Sequence, residues 1–295
     1  MKEYGSLAEA IRSIFGEAIS VDRTVPVSGG DINDARAVCL SDGSKVFMKS
    51  NRRENIDFFR KEAEGLYAIK KTGTLKTPEV LALGYDGSSS FLLLSYIGSA
   101  GRVPDFNKHF GRNLALMHSA PCEDFLSNGR YGFAHDNYIG AGYQLNEPRE
   151  SWTVFFRDCR LKPQFERAER YFDRGMRKRI DILLDRIDRY LTEPEKPSLL
   201  HGDLWSGNYM TGSDGEAWLI DPAAYVGHHE ADLAMTELFG GFGGDFYSAY
   251  RDTKAVGPGY DDRKDLYNLY HLLNHLNLFG GSYFYSVQRI LDRYC

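Results

Sequence analysis

Cysteine is scarce: Cys39, Cys122, Cys159 and Cys295 are the only four in the chain. None form a Cys-x-x-Cys pair and no His/Cys cluster has zinc spacing, which excludes a zinc finger and a dithiol redox motif. Unpaired thiols fit a reducing compartment, so a cytoplasmic location is expected. A basic excess is also missing. The net charge is −5, with no clustered basic field for nucleic acid; the runs at 49–53 and 174–179 read as solvated faces. No apolar run approaches the roughly 18 residues that suggest a membrane span. Residues 1–10 carry Glu3, Tyr4 and Glu9 and do not read as a signal peptide. Internal repeats and low-complexity tracts are absent.

Apolar residues are plentiful, at 42% hydrophobic and 14% aromatic, enough for real cores. The length of 295 residues suggests two domains at roughly 150 residues each.

One stretch organises the rest: Leu200-His201-Gly202-Asp203-Leu204-Trp205-Ser206-Gly207-Asn208, followed by Asp221-Pro222. His-x-Asp-x-x-x-x-Asn, a short hairpin and a second Asp are the parts of a phosphoryl-transfer site. Asp203 would accept the proton of an attacking hydroxyl, and Asn208 and Asp221 would hold Mg2+. A tight loop can return residues 203 and 208 to one cavity. Magnesium keeps several waters, so two hard oxygen ligands plus phosphate oxygens suffice. Residues 211–215 are turn chemistry between two strand-like runs, so the second run would bring Asp221 back to face Asn208.

Upstream, alternating strands surround a glycine loop, Ser28-Gly29-Gly30-Asp31-Ile32-Asn33. Paired glycines let backbone amides approach a phosphate closely. Lys45-Val46-Phe47-Met48-Lys49 alternates and ends in a lysine placed to grip nucleotide phosphates. Residues 56–70 have helical spacing, with Glu62 near the inward stripe and able to pair with Lys49. Two further strands, 78–83 and 91–96, complete a five-stranded antiparallel sheet with one helix between. The backbone of Ser95, Tyr96, Ile97 and Gly98 is the expected connector, where an adenine edge could pair.

The rest reads as mainly helical: 106–120, 152–170, 176–191, 233–239, 246–250, 261–279 and 283–294. Ser6 and Glu9 form a capping-box pattern ahead of a helix at 7–15. Residues 131–146, rich in Gly, Tyr and Asn without periodicity, read as a long loop. His228 and His229 lack metal spacing. Glu230 and Asp232 either support the preceding loop or meet a polar substrate. His271 and His275 read as packing or hydrogen-bonding residues. The lobes divide at 1–97 and 98–295, an α+β bilobal arrangement.

These motifs resemble the fructosamine kinase, or ketosamine-3-kinase, family within the protein-kinase-like, aminoglycoside-phosphotransferase-like superfamily. Trp205 inside His201-Gly202-Asp203-Leu204-Trp205 carries most of the resemblance. Ile220-Asp221-Pro222-Ala223, the 227–235 segment, Leu269-Tyr270-His271-Leu272-Leu273-Asn274-His275 and Phe279-Gly280-Gly281 add to it. The resemblance implies ATP- and Mg2+-dependent phosphorylation of the 3-hydroxyl of a ketosamine, free or on a lysine, in deglycation. It implies Asp203 as base, Asn208 and Asp221 as metal ligands, Lys49 with Glu62 as the phosphate-gripping pair, and a monomer or weak dimer. His201, Trp205, Glu230 and Asp232 are candidates for the substrate side. Trp205 either packs under the loop or offers a ring face to a sugar or cationic amine, an attraction of about 0.5–2 kcal/mol. Many eukaryotic members carry a cysteine in the glycine loop; this chain has Asp31 there, and no redox switch is expected. Alternative readings are a kinase for another amino alcohol or an aminoglycoside, and an ATP-binding module without catalysis.

Overall fold

The computed structural model describes residues 2–27 and 33–295. Gly29, Gly30, Asp31 and Ile32 therefore lie outside the described residues. The N-terminal lobe is built on β1 (Glu3–Tyr4), β2 (Val21–Pro26), β3 (Asp34–Leu40), β4 (Lys45–Arg52), β5 (Val80–Asp86) and β6 (Ser89–Ser95), in the order β1-β5-β6-β4-β3-β2. The sheet has six strands and mixed orientation, which corrects the expectation of five antiparallel strands. β1 pairs parallel to β5, Glu3 against Leu83 and Tyr4 against Gly84. Two residues are too few for any periodicity, so β1 is invisible in the pattern. Its place depends on Gly84, where a Cβ would stand 2.2 Å from the Tyr4 carbonyl oxygen.

Helices cover both faces of this sheet. Helix α1 (Leu7–Phe15) packs Leu7, Ala10 and Ile11 against Val38, Val46, Phe91 and Leu93. Helix α2 (Ile56–Lys71) packs Phe59, Ala63 and Leu66 against Leu83, Leu92 and Leu94. The alternation of Phe91 and Leu93 with Leu92 and Leu94 explains why β6 reads as an unbroken apolar run: both of its faces are buried. Glu62 rides on α2 and Lys49 on β4, so burial of the two elements fixes the distance between them.

The C-terminal lobe contains α3 (Phe106–Met117), a hairpin of β7 (Asn137–Ile139) and β8 (Gly142–Gln144), α4 (Trp152–Phe155), α5 (Lys162–Arg167) and α6 (Arg174–Asp185). Strands β9 (Ser198–Leu200), β10 (Tyr209–Thr211), β11 (Ala217–Leu219) and β12 (Tyr225–Gly227) follow, then α7 (Glu230–Leu238), α8 (Gly244–Thr253), α9 (Tyr260–Phe279) and α10 (Phe284–Tyr294). The 131–146 segment expected as loop contains the β7–β8 hairpin. The helix expected over 152–170 is interrupted by a π-helical turn at Phe156–Leu161. Pro163 lacks the N–H that would continue the ladder back to residue 159, and the widened turn accommodates this. One core spans the lobe and also takes in Ala68, Ile69 and Leu75 from the end of α2 and beyond.

Candidate active site

The site grows out of β9. Its strand pairs antiparallel with β12, Leu200 opposite Tyr225, and delivers His201 into a buried turn. Gly202 takes φ +83°, and a Cβ there would sit 2.0 Å from the Ala223 carbonyl oxygen. Only glycine can cross beneath the following segment at this point. Asp203 comes next, with a side chain 17% exposed. Asn208 Nδ2 donates to the Asp203 backbone oxygen at 2.8 Å and to its Oδ2 at 3.1 Å. The β10–β11 hairpin then runs back, and the Ile220 N–H donates to the Asn208 carbonyl at 3.0 Å. Asp221 follows in the left-handed region at φ 55°, a conformation that a non-glycine residue adopts at some cost. Turned this way, Asp221 meets Lys49. Lys49 Nζ also donates to Glu62 Oε1 at 2.7 Å.

Thus two groups form, Asp203 with Asn208 and Lys49 with Asp221 and Glu62, and the Ile220–Asn208 backbone bond lies between them. Burial lowers the Lys49 pKa, but the Asp221 and Glu62 carboxylates more than offset it and hold the ammonium charged. Burial pushes the Asp203 carboxyl up to about 7; the Asn208 amide opposes the rise, and the charges of Asp221 and Asp232 add to it. The donor chemistry suits magnesium. Asn208 spends its amide nitrogen on Asp203, leaving its oxygen free, and Asp221 has one carboxylate oxygen beyond that given to Lys49. Two protein oxygens leave the remaining positions of such a cation to ligand oxygens and water.

The family model for fructosamine kinase matches residues 4–295. The chain belongs to the fructosamine kinase family. A Synechocystis sp. relative described as a probable ketoamine kinase is 38% identical over 290 residues, covering 98% of this chain and 95% of that protein. The protein-ribulosamine 3-kinase, chloroplastic, of Oryza sativa subsp. indica is 36% identical over 282 residues, 95% of this chain and 80% of the relative. A Haemophilus somnus crystal structure assigned to fructosamine-3-kinase superposes with TM-score 0.86 at 27% identity, covering 98% and 96% of the two chains. An aminoglycoside phosphotransferase superposes with TM-score 0.59 at 16% identity, covering 97% and 96%. That likeness identifies the fold alone, the bilobal architecture of protein kinases.

In this fructosamine kinase family member, the other expected residues fall into three groups. Asn33 Oδ1 accepts from Asn51 Nδ2 at 2.7 Å, which ties the end of the glycine loop to β4. Along the connector, the Ser95 N–H donates to the Glu79 carbonyl at 2.9 Å and the Ser95 Oγ accepts from the Glu79 N–H at 2.8 Å. The Ser95 N–H is therefore committed. Tyr96, Ile97 and Gly98 lie outside regular structure, and Gly98 sits against Ser213 in the β10–β11 turn.

The candidates for the substrate side divide. Trp205 is 39% exposed and meets Phe239 edge-on at 6.4 Å. Its ring lies over Gly207, where a Cβ would come within 2.4 Å of it. His201, Glu230 and Asp232 are instead buried, with protein partners for their polar groups. His201 Nε2 donates to the Ile220 carbonyl at 2.9 Å, while its Nδ1 accepts from the Asp203 N–H at 3.3 Å. Asp232 accepts the N–H groups of His201 and Gly202 at 2.6 and 2.8 Å. Glu230 takes Arg263 through both carboxylate oxygens at 2.6 and 2.9 Å. His201 and Asp232 shape the turn that carries Asp203, while Glu230 anchors the start of α7 to Arg263 on α9.

Sequence reasoning missed a set of buried amides. Gln144 Nε2 donates to the Ala223 carbonyl at 3.0 Å and Asn137 Nδ2 to the Ala224 carbonyl at 2.8 Å. The β7–β8 hairpin thereby fixes the chain just after Asp221. Its only signal was polar residues recurring in an aperiodic segment.

Proposed function

We propose that this protein is an ATP-dependent ketosamine kinase that phosphorylates the 3-hydroxyl of ribulosamine or fructosamine adducts, in deglycation. The observation supporting the proposal is the contact of Lys49 with Asp221, which follows the hairpin from the Asp203–Asn208 pair, in a chain of this family. Lys49, held extended by Glu62, grips phosphate oxygens as a buried cation. Asp203 orients the acceptor hydroxyl and takes its proton through Oδ1, since Oδ2 is held by Asn208. A carboxyl near pH 7 in basicity is matched to that task. Asn208 and Asp221 would hold Mg2+, which when bound neutralises charge on the transferring phosphate. Tyr96, Ile97 and Gly98 offer backbone groups to the adenine edge, and Gly29, Gly30, Asp31, Ile32 and Asn33 are the sequence's candidates for meeting the phosphates. The open face of Trp205 stacks against the sugar or its amine. The division into a nucleotide lobe, 1–97, and a catalytic lobe, 98–295, follows from these roles.

The test is coupled ATP consumption with a ribulosamine, a fructosamine, choline and an aminoglycoside as acceptors. Ketosamines are expected to be preferred, and Asp203→Asn to lose on the order of 10²–10⁴ in kcat. Preference for choline or an aminoglycoside, or equal turnover by Asp203→Asn, would overturn the assignment.

A further inference from the structure

His271 stands in the middle of α9 with its side chain 5% exposed. Its Nδ1 is buried without a hydrogen-bond partner. The other histidines of this interior are engaged. His118 reaches Tyr250 at 2.8 Å and Asp232 at 3.2 Å, His201 reaches the Ile220 carbonyl, and His229 reaches Tyr250 at 3.0 Å. A buried polar atom left open in such a setting needs a physical reason. The nearest carboxylate supplies one: His271 Nδ1 lies 3.9 Å from Asp203 Oδ1. Because Asn208 holds Oδ2, this is the oxygen that faces the acceptor hydroxyl in the reaction proposed above.

We propose that His271 is a positioning residue for phosphoryl transfer, its Nδ1–H holding Asp203 Oδ1 in the orientation that meets the acceptor hydroxyl. Burial keeps the imidazole neutral, its pKa pushed down to about 3, so the ring carries one N–H. Opposite the ionised Asp203, the form that accepts the hydroxyl proton, the Nδ1–H tautomer is the stable one, because the other sets two lone pairs face to face. Catalytic hydrogen bonds are often long before substrate arrives and tighten in the complex; 3.9 Å is such a separation. The helix around the ring is fixed. Tyr270 donates to Gln144 Oε1 at 2.7 Å, and the His271 carbonyl accepts from His275 Nδ1 at 2.8 Å. Closure therefore comes from the Asp203 carboxylate turning, with α9 as the fixed wall.

The inference rests on the ketosamine kinase reading, and its test separates the two. His271→Leu is expected to lower kcat by about 10-fold or more while leaving KM for ATP within about two-fold. His271→Asn places an amide nitrogen close to the position of Nδ1 and is expected to restore most of the loss. In an Asp203→Asn background, His271→Leu is expected to cost nothing further, since the two act through one another. Unchanged kcat in His271→Leu, equal loss in both His271 variants, or additive losses would each overturn the proposal. A readout without turnover accompanies these: ¹⁵N NMR of the wild-type His271 ring should report a neutral Nδ1–H tautomer whose signal shifts in Asp203→Asn. An Nε2–H tautomer overturns the proposal even if His271→Leu fails to fold. A wild type that phosphorylates no ketosamine overturns the parent reading and leaves the tautomer measurement to decide this one.

Discussion

Asp232 shows how much a single buried carboxylate can organise. It receives the backbone N–H groups of His201 and Gly202 and the His118 ring, at 2.6, 2.8 and 3.2 Å. Burial raises its pKa, but the His118 hydrogen bond, the His118 and His201 interactions and the Gly202 amide more than offset that, and the carboxyl stays below its ordinary value. A carboxyl with a depressed folded-state pKa stabilises the fold above its unfolded pKa, near 4, and loses that contribution as pH falls through the folded value. Asp232→Asn is therefore expected to cost about 3 kcal/mol at pH 7 in urea unfolding. Its deficit relative to wild type should shrink as pH drops below about 4. At Gly202, Gly202→Ala forces a Cβ against the Ala223 carbonyl. It should cost about 3 kcal/mol or more, measurable as a fall in Tm with loss of kinase activity.

Elements were legible where a pattern ran long enough to repeat. Helix α1 falls at 7–15 as its spacing implied, and Ser6 Oγ accepts from the Glu9 N–H at 3.1 Å. The reciprocal bond of its capping box goes one residue upstream, from the Gly5 N–H to Glu9 Oε2 at 2.9 Å. Asp203, Asn208 and Asp221 could be read together because a tight loop and a hairpin confine them locally, and Lys49 with Glu62 because strand and helix periodicities aim both inward. Strand β1 left no trace, since its two residues are specified by Gly84 eighty positions away. The roles of Glu230 and Asp232 depended on Arg263 and His118, distant partners that no local pattern names. The β7–β8 hairpin is held by Asn137 and Gln144 bonding to carbonyls of residues 224 and 223, again a tertiary dependence. Gly84→Ala tests the sixth strand. The Cβ contact at 2.2 Å should release β1, at a cost of about 1–3 kcal/mol, with faster amide exchange at Glu3 and Tyr4.

At the scale of the molecule, Lys49 meeting Asp221 and Glu62 makes the cleft a structure shared by both lobes. A nucleotide that binds only this folded arrangement stabilises it by about 2.7 kcal/mol at a concentration one hundred times its Kd. For a chain of this length that amounts to a rise of about 4 °C in Tm. Differential scanning fluorimetry with ATP and Mg2+ should record the rise in wild type and its loss in Asp221→Asn and Lys49→Met. Among the described residues no helix is long and apolar enough to cross a membrane, and all four cysteines are free.

The end of α2 has a mechanical meaning. Ala68, Ile69 and Leu75 are rooted in the C-terminal core, while Phe59, Ala63 and Leu66 of the same helix grip the sheet. The two cores are thus joined through one helix, and on the other side Val103 N–H donates to the Gly215 carbonyl at 3.1 Å, tying the 96–105 segment to the β10–β11 turn. Glu62 lies on the stretch between Phe59 and Ala63, so the partner of Lys49 is carried by the part of α2 that is packed on the sheet.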